Sequence, residues 1–179
     1  MSSAGIAKLL LLGVVALCAC EEKIKPTVLP GIDSQSLPQQ ESWNSKIVLS
    51  DSGRVKAVIH AGYVRVFQLP EETHLSEGIV VRFYDSDGSE SSVLTAERGR
   101  VYDGTRNLEA SENVLVVASD STRLRTQTLY WDNQKQLIHT QEFVRIHSPK
   151  ERLQGYGFES DQHLRRYRIF KVSGESVPQ

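Results

Sequence analysis

The chain has 179 residues, 39% of them hydrophobic, 24% charged and 7% aromatic, with a formal net charge of −1. That length suits one domain with a buried core, and the composition is far from that of a disordered tail. Near-neutral charge excludes the basic footprint of a nucleic-acid binder, and two cysteines exclude a disulfide-stapled scaffold.

The first element along the chain is an address. Lys8 precedes an unbroken apolar run from Leu9 to Leu17, which ends in Cys18-Ala19-Cys20. The run is shorter than the roughly 20 residues a spanning helix needs. Leu17-Cys18-Ala19-Cys20 resembles the lipobox of bacterial lipoproteins, in which a branched apolar residue and two small residues precede an obligatory cysteine. The resemblance implies a signal peptide over 1–19 and lipidation of Cys20. An ordinary cleaved signal with incidental cysteines is the alternative, and the acidic pair Glu21-Glu22 directly after the run favours lipidation. Lipid chains at Cys20 would hold the protein to a membrane from the periplasm and leave the mature chain no free thiol.

From 20 to 45 the composition is that of a tether, with Pro26, Pro30, Gly31 and Pro38 among serines and glutamines. The body is expected over 46–174, and 175–179 as a disordered tail. From about Ile47 the apolar period is two rather than 3.6. Val55, Ala57, Ile59 and Ala61 share a face, and Ile79–Tyr84, Val114–Val117 and Phe143–His147 alternate likewise. Turn formers stand between them: Asp51-Ser52-Gly53, Asp85-Ser86-Asp87-Gly88, Asp103-Gly104, Asp132-Asn133 and Ser148-Pro149. Strands of roughly five to eight residues follow, with helix only as a weak option over 70–77. The fold class is all-β, a twisted antiparallel jelly roll or open sandwich built from repeated strand-turn-strand units.

The units repeat visibly. Asp103, Asp132 and Asp161 lie 29 residues apart, and each is followed by a leucine, at Leu108, Leu137 and Leu164. These aspartates are expected to shape turns rather than form an acidic site. A search for chemistry turns up little. His60, His74, His139, His147 and His163 show no pair at metal-ligand spacing, and no nucleophile elbow, phosphate loop or dinucleotide fingerprint occurs. No enzyme activity, metal or cofactor is expected. Basic residues gather only at Arg165, Arg166, Arg168 and Lys171, where protection of an exposed strand is favoured over contact with lipid phosphates.

Four ordered pieces resemble the LptC family of lipopolysaccharide-export proteins. They are Tyr84-Asp85…Gly88…Leu94-Thr95-Ala96, then Leu124-Arg125-Thr126-Gln127-x-Leu129-x-Trp131-Asp132, then Ile138-x-Thr140-x-x-x-Val144-x-Ile146. The last is Leu153-Gln154-Gly155-x-Gly157-Phe158-x-Ser160-Asp161-x-x-Leu164-x-x-Tyr167-x-Ile169. Together they run from about Ser50 to Gly174. The resemblance implies an LptA/LptC/OstA-like jelly roll whose apolar interior receives the acyl chains of lipopolysaccharide. It implies delivery from the LptBFG-type inner-membrane transporter at one sheet edge and transfer to an LptA-type periplasmic β protein at the C-terminal edge. Many members keep an uncleaved N-terminal helix where this chain has a lipobox. Glu21 stands where the familiar inner-membrane retention signal has Asp, while the family points to the inner membrane rather than the outer.

Alternation selects the inward residues that would wall such a groove: Ile59, Ala61, Val81, Phe83, Leu94, Ala96, Val101, Leu108, Val114, Val116, Leu129, Trp131, Val144, Ile146 and Phe158. A closed, dry core would use the same residues. Gly155, Gly157, Leu164, Tyr167 and Ile169 are the candidates for the partner edge, the glycines for a bulge or a close backbone approach. A second function therefore stays open, a periplasmic adaptor lipoprotein with a closed core that acts through its sheet edges alone.

Overall fold

The computed structural model describes residues 37–173, so the expected signal peptide, Cys20 and the tail 175–179 lie outside the described residues. Ten strands form: β1 (Gln40–Asp51), β2 (Arg54–Gln68), β3 (Glu71–Tyr84), β4 (Glu90–Ala96), β5 (Arg98–Tyr102), β6 (Asn107–Ala118), β7 (Arg123–Asp132), β8 (Leu137–His147), β9 (Arg152–Ser160) and β10 (Tyr167–Val172). They make one antiparallel sheet in the order β1-β2-β3-β4-β6-β7-β8-β9-β10. β5 continues the line of β4, so that β3 and β6 each pair with both. No helix occurs among the described residues, and the weak helical option over 70–77 falls in β3. β1 opens at Gln40, inside the span assigned to the tether. Trp43 stacks on Tyr63 at 5.3 Å, a cross-strand aromatic pair of the kind that draws a polar segment into a sheet.

Turn punctuation alone implies short strands, yet β2 has 15 residues and β3 has 14. They run on because each passes through a bulge where a turn would otherwise end it. Glu77 and Gly78 stand opposite the single Gly62, Glu97 separates β4 from β5, and Glu112 and Asn113 stand opposite Gln127. On the far side Gln141 and Glu142 stand opposite Gly157. The breaks line up across the sheet as a crease, and from Glu97 they recur every 15 residues, at 97, 112, 127, 142 and 157. Left-handed backbone marks it at Glu77 (φ 60°), Gly78 (80°), Glu112 (65°), Asn113 (56°) and Gly157 (73°).

The count of residues at the crease decides the alternation. One residue there shifts the phase by one, as in β7, which buries Leu124 and Thr126 before it and Leu129 after it. Two residues preserve the phase, as in β6, which buries Ala110 before and Val114, Val116 and Ala118 after. Either way the apolar side stays inward while the strand bends.

The crease divides the sheet into two leaves. The first leaf ends in the turns around residues 52–53, 85–89, 119–122 and 148–151, and the second in those around 69–70, 103–106, 133–136 and 161–166. First-leaf Ile59, Val81, Phe83, Leu94, Val116, Leu124, Val144 and Ile146 share one core with second-leaf Val64, Leu75, Val101, Ala110, Leu129, Ile138 and Phe158. The fold is thus an all-β sandwich made by one sheet closing on itself. Two of the repeated aspartates shape second-leaf turns: Asp132 accepts the Lys135 amide at 2.9 Å, and Asp161 accepts those of His163 and Arg165 at 3.0 and 3.1 Å. Asp103 instead accepts the Thr73 hydroxyl at 3.1 Å. The 29-residue repeat is the length of one hairpin, two passes across the crease.

Candidate functional site

Of the fifteen residues expected to face inward, thirteen are buried: Ile59, Ala61, Val81, Phe83, Leu94, Ala96, Val101, Val114, Val116, Leu129, Val144, Ile146 and Phe158. Leu108 and Trp131 are half-buried and pack against that core. Val55, placed on the same face by alternation, is exposed because β2 begins beyond the packed part of the leaf. Between Ile59, Val81, Phe83 and Leu94 on one leaf and Leu75, Leu129 and Ile138 on the other lies an apolar slot of about 30 Å³. The interior here is filled by the protein's own side chains.

Opposite the crease the leaves meet along a margin of strand ends and turns. The Phe83 ring lies 6.4 Å from that of Trp131. The Ser92 hydroxyl donates to the Gln162 carbonyl at 2.9 Å, and Ser92 is the ladder partner of Phe83. Asp85 faces His163 Nε2 at 3.3 Å and Arg165 Nη2 at 3.8 Å. Beneath these contacts Leu164 inserts its side chain into the core with only 2% exposure.

Leu164 does not lie on the partner edge: it sits in the turn before β10, at φ 55°, and packs between the leaves. Turn geometry at Asp161 folds the segment inward and denies it a place on the strand. Tyr167 and Ile169 do lie on β10, with side chains leaning on the core, so the edge presents main chain. Gly155 sits beneath β10, where an added Cβ would fall 2.2 Å from the Lys171 carbonyl oxygen. Gly157 occupies the crease, where a Cβ would meet the Phe170 ring at 3.0 Å. Among the described residues, the outer sides of β1 and β10 have no strand partner.

Three of the four members of the basic cluster face carboxylates. Arg165 faces Asp85, Arg166 faces Asp161 at 3.7 Å and Arg168 faces Glu159 at 3.0 Å. That pairing agrees with a guarded strand better than with an anion site. Beside the cluster a cavity of about 920 Å³ opens between the turns at 120–122 and 148–151 and the segment 159–168. Across its mouth Tyr167 donates to Glu151 at 2.5 Å, and burial, with that bond second, pushes the phenol pKa up to about 12. Burial also raises the Tyr102 and Tyr130 phenols.

Several interior residues escaped sequence reasoning: Val64, Leu75, Ala110, Leu124 and Ile138. Val64 lies past the crease, where the single Gly62 shifts the alternation carried over from Ile59 and Ala61, whereas Leu75 keeps the phase of Ile79, Val81 and Phe83. The recurrence of Glu97, Glu112, Gln127, Glu142 and Gly157 at 15-residue steps was the available signal for that interruption.

A protein-family model described as "Lipopolysaccharide-assembly, LptC-related" matches residues 39–174, a span that takes in all ten strands. No curated protein matches the chain.

Proposed function

We propose a hand-over role from one premise: the chain belongs to the LptC family and so serves lipopolysaccharide transport, as a periplasmic protein associated with the inner membrane. It takes lipopolysaccharide from the LptBFG-type transporter, shelters the acyl chains between its leaves and passes them to an LptA-type protein beyond β10. The observation that carries this reading is a single sheet whose apolar face closes on itself while, among the described residues, both terminal strands keep one side without a partner. An unpaired strand accepts a partner's strand through main-chain hydrogen bonds, which suits joints at both ends. Each buried methylene is worth roughly 0.8 kcal/mol, so a multi-acyl lipid needs a dry path more than it needs a tight site. Lipidation of Cys20 would keep the domain near its source.

Photoreactive residues at Phe83, Val116 or Phe158 should capture lipopolysaccharide in cells. Capture only from an outward position such as Arg82 would refute the reading. Replacing Cys20 by Ala should release the protein or leave it unprocessed, and unchanged mass and membrane association would refute the anchor.

The filled interior, with a slot of about 30 Å³, favours a second reading, the closed-core adaptor that acts through its edges. It predicts pairing with an LptA-type protein without any capture of lipid from inward positions.

A further inference from the structure

The leaves are joined by main chain on one side and by a few side chains on the other. We propose that the side-chain set, Phe83 against Trp131, Asp85 to His163 and Arg165, and Ser92 to the Gln162 carbonyl, is a releasable clasp through which lipid enters; this rests on the lipid-transport reading above.

The slot walled by Phe83 and Trp131 accommodates about 30 Å³, and a fatty acyl chain needs many times that, so the leaves must separate at this part of the margin before a chain lies in the slot. They cannot part along the crease, where ladder bonds continue on both sides and the bulges are themselves tied, Gly78 N to Glu97 O and Glu97 N to Glu112 O. Parting at the margin breaks no strand pairing among the described residues. The clasp also sits where an opening is useful, since Phe83 and Trp131 are walls of the slot as well as halves of the contact.

Its strength suits release. The Arg165 side chain is 63% exposed, and such pairs hold weakly in water. Asp85 and His163, at 27% and 19%, are better shielded, and the buried Ser92 hydroxyl supplies one neutral hydrogen bond. The turn side is preorganised by Asp161, whose carboxylate fixes the His163 and Arg165 amides, so the clasp closes without reordering the chain.

Two measurements on the full-length chain in membranes test this. With Leu129→Cys as a reporter of the interior, Asp85→Ala combined with Ser92→Ala should raise the alkylation rate about tenfold over the reporter alone, the factor worth ~1.4 kcal/mol. An unchanged rate overturns the clasp. Separately, Asp85→Cys and His163→Cys joined by a short reducible thiol crosslinker should lose lipopolysaccharide capture from a photoreactive residue at Val116, and a reductant should restore it. Capture that persists in the bridged form overturns the clasp and leaves the transport reading standing. Absence of capture from every form, the unbridged chain included, overturns the transport reading and the gate with it.

Discussion

Along the crease, one leaf becomes the other through eight strands that cross it and through β4 and β5, which meet there at Glu97, and the joint is made of peptide bonds and ladder hydrogen bonds. Along the margin, the same leaves touch through side chains: one aromatic pair, one hydroxyl, one carboxylate between two basic groups, the inserted Leu164 and, at the far end, the Tyr167–Glu151 hydrogen bond. The first joint cannot yield without unfolding, whereas the second is a short set of side-chain contacts, with Phe83 and Ser92 buried and Asp85, His163 and Arg165 partly exposed. A sheet that closes on itself in this way is rigid along one line and separable along another, and needs no hinge loop.

The contrast can be broken outright by removing what both joints share. Phe158 is fully buried in the second leaf, beside Tyr167 at 6.3 Å, so Phe158→Ala should cost about 3–5 kcal/mol. The urea midpoint measures this, and a loss below ~1 kcal/mol would mean that the leaves do not pack as described. Next in size is the crease itself. At Gly62 an added Cβ would lie 2.5 Å from the Glu77 carbonyl oxygen, a backbone atom that cannot move aside. Gly62→Val should therefore cost about 2–3 kcal/mol and lower the urea midpoint, and an unaffected midpoint would show that the crease tolerates side chains.

A margin variant should cost less. Ser92→Ala removes a 2.9 Å hydrogen bond at a site 2% exposed, worth about 1 kcal/mol in thermal unfolding, and a loss larger than that of Gly62→Val would invert the comparison. The smallest effect is confined to alkaline solution. The Tyr167 phenol titrates at about 12 in the fold, above the usual value near 10, so its contribution is intact below pH 10 and declines as pH rises toward 12. Tyr167→Phe should flatten the fall in stability across that window, and an identical alkaline profile would show that the Tyr167–Glu151 contact does not hold the margin's far end.

The strands were legible because alternation is local. Ile79 to Tyr84, Val114 to Val117 and Phe143 to His147 declare their faces within a few residues, and the turns at Asp51 and Asp85 declare themselves by composition. The close approaches at Gly155 and Gly157 were legible for a similar reason, since these glycines interrupt a strand that otherwise reads well; that strand is β9, one in from the edge strand β10. Leu164 was misplaced because its leucine and the two residues around it fit a strand as well as a turn. Only the Asp161 side chain, bonded to the amides that follow, decides between them.

What the amino-acid order determined by itself is therefore the set of strands, their apolar face and the family to which they belong. Each of these is carried by residues near one another in the chain. The tertiary structure alone decided where the strands crease, which halves face each other and how the margin closes. Glu112 and Asn113 are ordinary residues that take left-handed backbone because a neighbouring strand offers one residue where they offer two. Asp85 meets His163 across 78 residues of sequence (163 − 85) because the crease brings the leaves together, and no local pattern encodes so distant a contact.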